Sequence, residues 1–275
     1  MANLSPEQIK QYQEKGYLAP IEALTKDEAN EVKEEIEFIE KKWPNELKGL
    51  GRNYVHLISP IFDKVVHNSK ILDTVEDIIG KNILVGGTTL FIKDPDKKGF
   101  VSFHQDAKYI GFEPNNWVTA WLAITDSNEE YGCMRMYSGT HKEDLKVHNE
   151  KFNDGNLLTR GQTVENVPIE KTEPVILKAG QMSLHHPKIV HGSGINRSDK
   201  RRIGFVIQSY IGTNVEQVIG KVYVQQARGE DAFNYHNHVE RPTSTMGEKN
   251  MNIRKIAMEE LSNIFYIGLE KKGKF

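Results

Sequence analysis

Cysteine is nearly absent: Cys133 is the only one in 275 residues. A single thiol excludes an internal disulfide framework and a cysteine-built zinc site. Within Gly132-Cys133-Met134 it reads as a small apolar strand residue. Long apolar runs are missing too, with none near the roughly 18 residues that a membrane-spanning helix needs. The opening Met1-Ala2-Asn3-Leu4-Ser5-Pro6-Glu7 has neither a basic flank nor an apolar stretch. No signal peptide is therefore expected, and the cytoplasm is the expected compartment. An excess of either charge is also lacking: 36 Lys and Arg against 38 Asp and Glu leave a net charge of −2. That balance gives no electrostatic case for nucleic acid. There are no internal repeats, low-complexity tracts or linkers, and a chain of this size builds a full core without staples. One domain over residues 1–275 is expected: N-terminal helices at about 5–80, a strand-rich core at about 83–212, and a C-terminal helical extension at about 213–275.

The helices announce themselves by their caps. Ser5-Pro6-Glu7-Gln8 combines an N-cap with proline at the first helical position, and Gly16 stops the helix. Thr25-Lys26-Asp27-Glu28 is a capping box. It opens a helix whose inner positions are Ala29, Val32, Ile36 and Ile39, and which Pro44 ends. Residues 45–68 give no clear pattern, with Arg52 to Leu57 suggesting an irregular strand or a loop over the site. A third helix is expected from Ser69 to Gly80 and a last one from Asn252 to Lys271. Between about Phe100 and Gly212 the pattern is strands broken by Gly, Asn, Asp and Pro. Trp117 to Ile124 is the clearest buried strand, and residues 142–170 form a long polar insertion.

Chemistry concentrates at Phe103-His104-Gln105-Asp106. Residues two apart on a strand share a face, so His104 and Asp106 are expected side by side. His191, 87 residues on, would complete two imidazoles and one carboxylate. Such a set covers one face of a metal and leaves the other positions open, which suits non-haem Fe(II). Arg202, eleven residues beyond His191, offers a fork for a dicarboxylate. His185-His186 reads as strand packing or support, and His236-x-His238 as a pair in a polar loop. Lys108 follows His104 and Asp106 at the same parity, so a continuing strand would aim it into the cavity, toward an anionic group of the substrate. Asn53, Tyr54 and His56 are expected to add polar contacts from the preceding loop.

Several ordered motifs carry a family resemblance: Phe103-His104-Gln105-Asp106-Ala107, Trp117-Val118-Thr119-Ala120-Trp121, Gly132-Cys133-Met134-Arg135 and Ser138-Gly139-Thr140-His141-Lys142. His191-Gly192-Ser193-Gly194 with Arg201-Arg202-Ile203-Gly204 completes the series. From Gly16 to about Tyr210 the chain resembles the phytanoyl-CoA dioxygenase family. That resemblance implies a mainly β fold with flanking α-helices around a double-stranded β-helix, a jelly-roll or cupin-like core. It implies Fe(II) on His104, Asp106 and His191, 2-oxoglutarate on Arg202, and lesser co-substrate roles for Ser193, Trp121 and Lys93. Strand alternation favours Arg202 over Arg201, because Arg202, Gly204, Val206 and Gln208 share a face. Many relatives carry a basic residue in place of Gln208 and a proline in place of Ser138. Halogenating relatives replace the metal-binding Asp with a small residue; Asp106 is present, so halogenation is not expected.

The expected activity is hydroxylation of a substrate C–H with Fe(II), 2-oxoglutarate and O₂, releasing succinate and CO₂. Residues 142–170 or 45–60 would be the lid. No acyl-CoA pattern or apolar tunnel is legible. A small polar metabolite is therefore expected, with Lys108 favouring an anionic one: an amino acid derivative, a quaternary amine or an organophosphonate. The alternatives are a tailoring oxygenase for a larger secondary metabolite, a non-catalytic metal or metabolite sensor, and a zinc hydrolase.

Overall fold

The N-terminal helix signals act as written. Ser5 accepts from the Gln8 amide and the Gln8 side chain returns to the Ser5 amide, capping α1 (Pro6–Lys15), which Gly16 closes at φ 83°. The computed structural model describes residues 3–151, 153–158 and 160–266. After β1 (Tyr17–Glu22), Thr25 and Glu28 form the second capping box, on α2 (Lys26–Lys42).

Residues 45–68, where only Arg52 to Leu57 carried an expectation, turn out to be largely helical. They hold two 3₁₀ turns, Gly49–Arg52 and Val55–Leu57, and a helix, α3 (Pro60–Val66). Ser59 accepts from the Ile61 amide with Pro60 at the helix start, the same local signal as Ser5-Pro6. The α4 helix (Ser69–Ile79) follows as expected.

The strands then run β2 (Ile83–Lys93) and β3 (Val101–His104), a helical turn α5 (Ala107–Ile110), β4 (Phe112–Glu113), β5 (Trp117–Ala123) and β6 (Met134–Tyr137). Next come β7 (Asn149–Glu150), β8 (Gln162–Thr163), β9 (Glu173–Pro174), β10 (Gln181–His185), β11 (Val190–Ser193) and β12 (Arg202–Gly212). The region expected to be a helical extension begins with β13 (Glu216–Gln217), β14 (Tyr223–Arg228) and β15 (Asn237–His238), and only then forms α6 (Glu248–Phe265). The end of that helix expected at Lys271 lies outside the described residues.

Two sheets result. The large one runs β1-β10-β5-β12-β2-β14-β15 and the small one β3-β11-β6-β9, antiparallel except for the β14–β15 pair. Neither closes on itself, and together they make the double-stranded β-helix core. Alternation assigns the faces. Val118, Ala120, Leu122, Ile203, Phe205 and Ile207 pack on Ile36, Phe62, Ile71 and Val75 of the helices. From the other face Trp121, Ala123 and Val206 meet Met134, Met136 and Ile189 of the small-sheet side. Among the described residues no helix is long and apolar enough to cross a membrane.

Candidate metal and co-substrate site

Strands β3 and β11 pair with His104 opposite His191, their ring centroids 4.2 Å apart. Nδ1 of His104 faces the Ser102 carbonyl at 2.9 Å, and Nδ1 of His191 faces the Ile189 carbonyl at 3.1 Å. A carbonyl only accepts, so each Nδ1 carries the proton and each Nε2 keeps a free lone pair. Asp106 Oδ1 lies 3.3 Å from His104 Nε2 and 4.0 Å from His191 Nε2. The three donor atoms fall within 4.8 Å of one another, the only such group of three among the described residues.

Asp106 reaches this position by a different route from the one expected. The strand ends at His104, and Asp106 takes helical angles (φ −58°, ψ −41°) ahead of α5. The turn is locked by the fully buried Gln105. Its amide donates to His148 Nε2 (3.0 Å), its Nε2 to the Lys188 carbonyl (2.6 Å), and its Oε1 accepts from the Lys146 amide (2.8 Å). The end of the strand also removes the premise for Lys108. It is exposed and is not part of the cavity wall.

Burial pushes the Asp106 carboxyl up, but His191, His104 and His185 outweigh it and hold the group well below the usual carboxylate range. Burial, then His104, drives His191 well below its ordinary value, so its imidazole is neutral, the form that ligates a metal. An anionic carboxylate and imidazoles with free Nε2 fit a divalent iron ion.

Two neighbours stand beside the triad. His185, expected as strand packing or support, lines the cavity with Nε2 3.5 Å from Asp106 Oδ2, and neither of its ring nitrogens has a hydrogen-bond partner; Thr119 was not singled out. Thr119 Oγ1 lies 3.0 Å from Asp106 Oδ2 and 2.8 Å from the Gln208 carbonyl, so its one hydrogen serves one of them. Alternation along β5 from Trp121 to Thr119 was the available signal. The rival histidines are occupied elsewhere, His236 on the Val215 carbonyl and His238 on Asp231, each at 2.8 Å.

Arg202 is 1% exposed, donates through Nη1 to the Gly132 carbonyl (2.8 Å), and leaves Nε without a partner. Its guanidinium lies 5.2 Å from the Trp121 ring centroid. Burial lowers its proton affinity to about 10, so it remains a cation at neutral pH. Gly204 makes room for the tryptophan: a Cβ there would stand 2.2 Å from Trp121 Cζ2. Lys93 is not in the cavity wall. It sits behind it, donating to Ser193 Oγ (2.7 Å), to the Gly132 carbonyl (3.1 Å) and to the Gly194 carbonyl. Ser193 does line the cavity. An unsatisfied buried guanidinium donor beside a serine hydroxyl suits the far carboxylate of a dicarboxylate.

The cavity between the sheets measures about 840 Å³, toward the upper part of the roughly 300–1,000 Å³ usual for drug-sized ligands. Of the loop residues, Asn53 lines it, with Oδ1 accepting from Thr89 Oγ1 (2.5 Å). Tyr54 borders a separate small cavity of about 20 Å³. His56 is fully buried with Nδ1 2.9 Å from Thr88 Oγ1, away from either wall. Gln208 lines the large cavity, as do Asn156, Leu157, Leu158 and Gln162 of the polar insertion.

Residues 12–204 match the profile of the phytanoyl-CoA dioxygenase (PhyH) family. The chain belongs to that family. Among curated relatives, the peroxisomal phytanoyl-CoA dioxygenase of Bos taurus is 26% identical over 222 residues, 71% of this chain and 65% of that protein. A probable alpha-ketoglutarate-dependent hypophosphite dioxygenase of Stutzerimonas stutzeri is 25% identical over 78% of this chain and 81% of its own. The matches thus span less than two thirds of the bovine enzyme, and 58% of a Caenorhabditis briggsae homologue. Among solved structures, the non-heme monooxygenase ThoJ in its apo form superposes with a TM-score of 0.83 at 27% identity, over 94% of this chain and 97% of that one. That family is one of Fe(II)- and 2-oxoglutarate-dependent oxygenases, and His104, Asp106 and His191 are the residues that would hold its metal.

Proposed function

We propose that this PhyH-family chain is a hydroxylase acting on a polar, anionic metabolite, and that the whole forms one catalytic domain. The observation that carries the reading is the conjunction of His104, Asp106 and His191 with the buried, under-satisfied Arg202. A sensor or a hydrolase has no need of an open metal face and a dicarboxylate anchor in one cavity. The same argument places zinc hydrolysis last, to be separated by oxygen requirement.

In this reading His104 and His191 hold Fe(II) through Nε2, their tautomers fixed by the Ser102 and Ile189 carbonyls. Asp106 supplies the anionic ligand, and its presence supports hydroxylation over halogenation. Arg202 receives the distal carboxylate of 2-oxoglutarate, with Ser193 beside it, Trp121 stacked on the guanidinium and Lys93 holding Ser193 from behind. The iron and 2-oxoglutarate supply the oxidising chemistry, coupled to release of succinate and CO₂. The protein orients the bound acid, keeps Asp106 ionised and excludes water behind Phe91, Met134 and Val206, which line the cavity. The polar insertion and the 48–53 segment both contribute wall residues, which supports a lid on that side.

A cavity of about 840 Å³ leaves space beyond 2-oxoglutarate. It thereby favours, as a second reading, a tailoring oxygenase with a larger substrate. An anaerobic titration of Fe(II) and 2-oxoglutarate tests the main proposal. It should raise the weak visible metal-to-ligand charge-transfer band in the wild type and not in Asp106→Ala. Folded protein that gives no band would remove the oxygenase reading, and product analysis with candidate substrates would then separate hydroxylation from other outcomes.

A further inference from the structure

Every arginine among the described residues that is not exposed has a carboxylate partner, except two. Arg135 meets Glu129, Arg160 meets Glu150, Arg201 meets Glu40 and Asp94, Arg228 meets Asp73 and Glu76, and Arg254 meets Glu46. The exceptions are Arg202 and Arg52, and both line the same cavity. Arg202 has a role in the reading above; Arg52 has none.

Arg52 closes the 3₁₀ turn Gly49–Arg52 and is partly buried. Its Nε donates to the Leu47 carbonyl (3.1 Å) and its Nη1 to the Ile92 carbonyl (3.4 Å). These neutral acceptors position the fork without cancelling its charge. The acids nearest in the electrostatic sense, Asp94 and Glu40, are already taken by Arg201 at 2.9 and 2.6 Å. The turn itself is pinned by the buried Arg254, which donates to the carbonyls of Asn53 (3.1 Å), Glu46 (3.2 Å) and Gly51. A charged fork held on a fixed turn, with no carboxylate in contact with it, is the arrangement that recognises a planar or tetrahedral oxyanion.

Its location separates it from the co-substrate. On one side of β2 runs β12, with Arg202 opposite Lys93; on the other the segment at Asn53 bridges to Thr89. The two arginines therefore flank β2, about two strand spacings apart across it and about three residues apart along it, roughly 14 Å at the backbone.

We infer that Arg52 is a specificity-determining residue that anchors an anionic group of the primary substrate, a carboxylate, phosphate or phosphonate, while Arg202 holds 2-oxoglutarate. This rests on the oxygenase reading only for the use of the second site. The anchor Lys108 was expected to provide moves to a residue that lies in the wall.

The test has two arms. Anaerobic Fe(II)-loaded protein is first titrated with 2-oxoglutarate, then, with 2-oxoglutarate saturating, with inorganic phosphate, phenylphosphonate and benzoate by calorimetry. Wild type should bind at least one probe, R52Q should weaken it tenfold or more, and R52K should fall between. The 2-oxoglutarate affinity and thermal midpoint of both variants should stay near wild type, which reports an intact fold. Equal probe binding by wild type and R52Q, loss of 2-oxoglutarate rather than probe binding in R52Q, or no probe binding by wild type would each overturn the assignment. Failure of the oxygenase reading shows separately, as absent 2-oxoglutarate binding in the first arm.

Discussion

Lys93 and Arg202 stand opposite each other across the antiparallel strands β2 and β12, each 1% exposed and neither paired with a carboxylate. Two buried cations side by side are unfavourable unless an anion joins them. Replacing Arg202 by Gln should therefore weaken 2-oxoglutarate binding about 10- to 100-fold, the worth of roughly 1.5–3 kcal/mol for a charged hydrogen bond. Fe(II) binding should persist, and anaerobic titration followed by the charge-transfer band distinguishes the two.

Lys93 gives a pH signature. Burial, and then Arg202, push its ammonium down to about 6. Folded Lys93 thus binds a proton less readily than unfolded Lys93. This group's cost to stability is full below pH 6 and fades as the pH climbs toward the ordinary lysine value. A bound dicarboxylate favours the ammonium form, so 2-oxoglutarate binding at pH 7.5 should take up close to one proton, with affinity falling as pH rises. Calorimetry in two buffers of different ionisation enthalpy measures the uptake, and Lys93→Met should abolish it.

Gly204 is a steric requirement, since a methyl group there collides with the indole of Trp121. Gly204→Ala should displace Trp121 from the Arg202 guanidinium and cost about 1–3 kcal/mol of stability. A changed tryptophan emission and a weaker 2-oxoglutarate complex should accompany it. A variant with unaltered emission would show that the ring does not depend on this glycine.

Phe62 belongs to the helix that the sequence reading missed. It is fully buried with its ring 5.7 Å from that of Phe205 on β12. Phe62→Ala should cost about 3–5 kcal/mol, read as a lower denaturant midpoint.

Legibility in the sequence followed the range of the interactions. Caps are local, so Ser5 and Thr25 placed their helices correctly, and Ser59-Pro60 carried the same signal for α3. Alternation is local too, and it put Arg202, Val206 and Gln208 on the cavity face. What failed was the extrapolation of alternation past a strand end. The turn at Gln105 is held by His148, Lys146 and Lys188, partners distant in sequence, and no spacing rule reports them. Lys108 was misplaced for that reason. Arg52 was overlooked because its meaning lies in having no carboxylate in contact, which only the folded arrangement of Arg201, Glu40 and Asp94 reveals. The strand β14 was invisible because its pairing partner β2 lies more than a hundred residues earlier.

The contacts of Lys93 and Arg202 with the Gly132 carbonyl, and of Lys93 with Ser193 and Gly194, run from the large sheet to the end of β11 in the small one and to segments flanking it. They act as clasps holding the sandwich shut beside His191. An evolutionary or engineered switch to a different keto acid would therefore have to unfasten the sheets and refasten them. Exchanging the primary substrate meets no such obstacle, since the 48–53 turn and the polar insertion supply its walls without tying the sheets together. Diversification of this scaffold should accordingly accumulate at the mouth while the co-substrate end stays fixed.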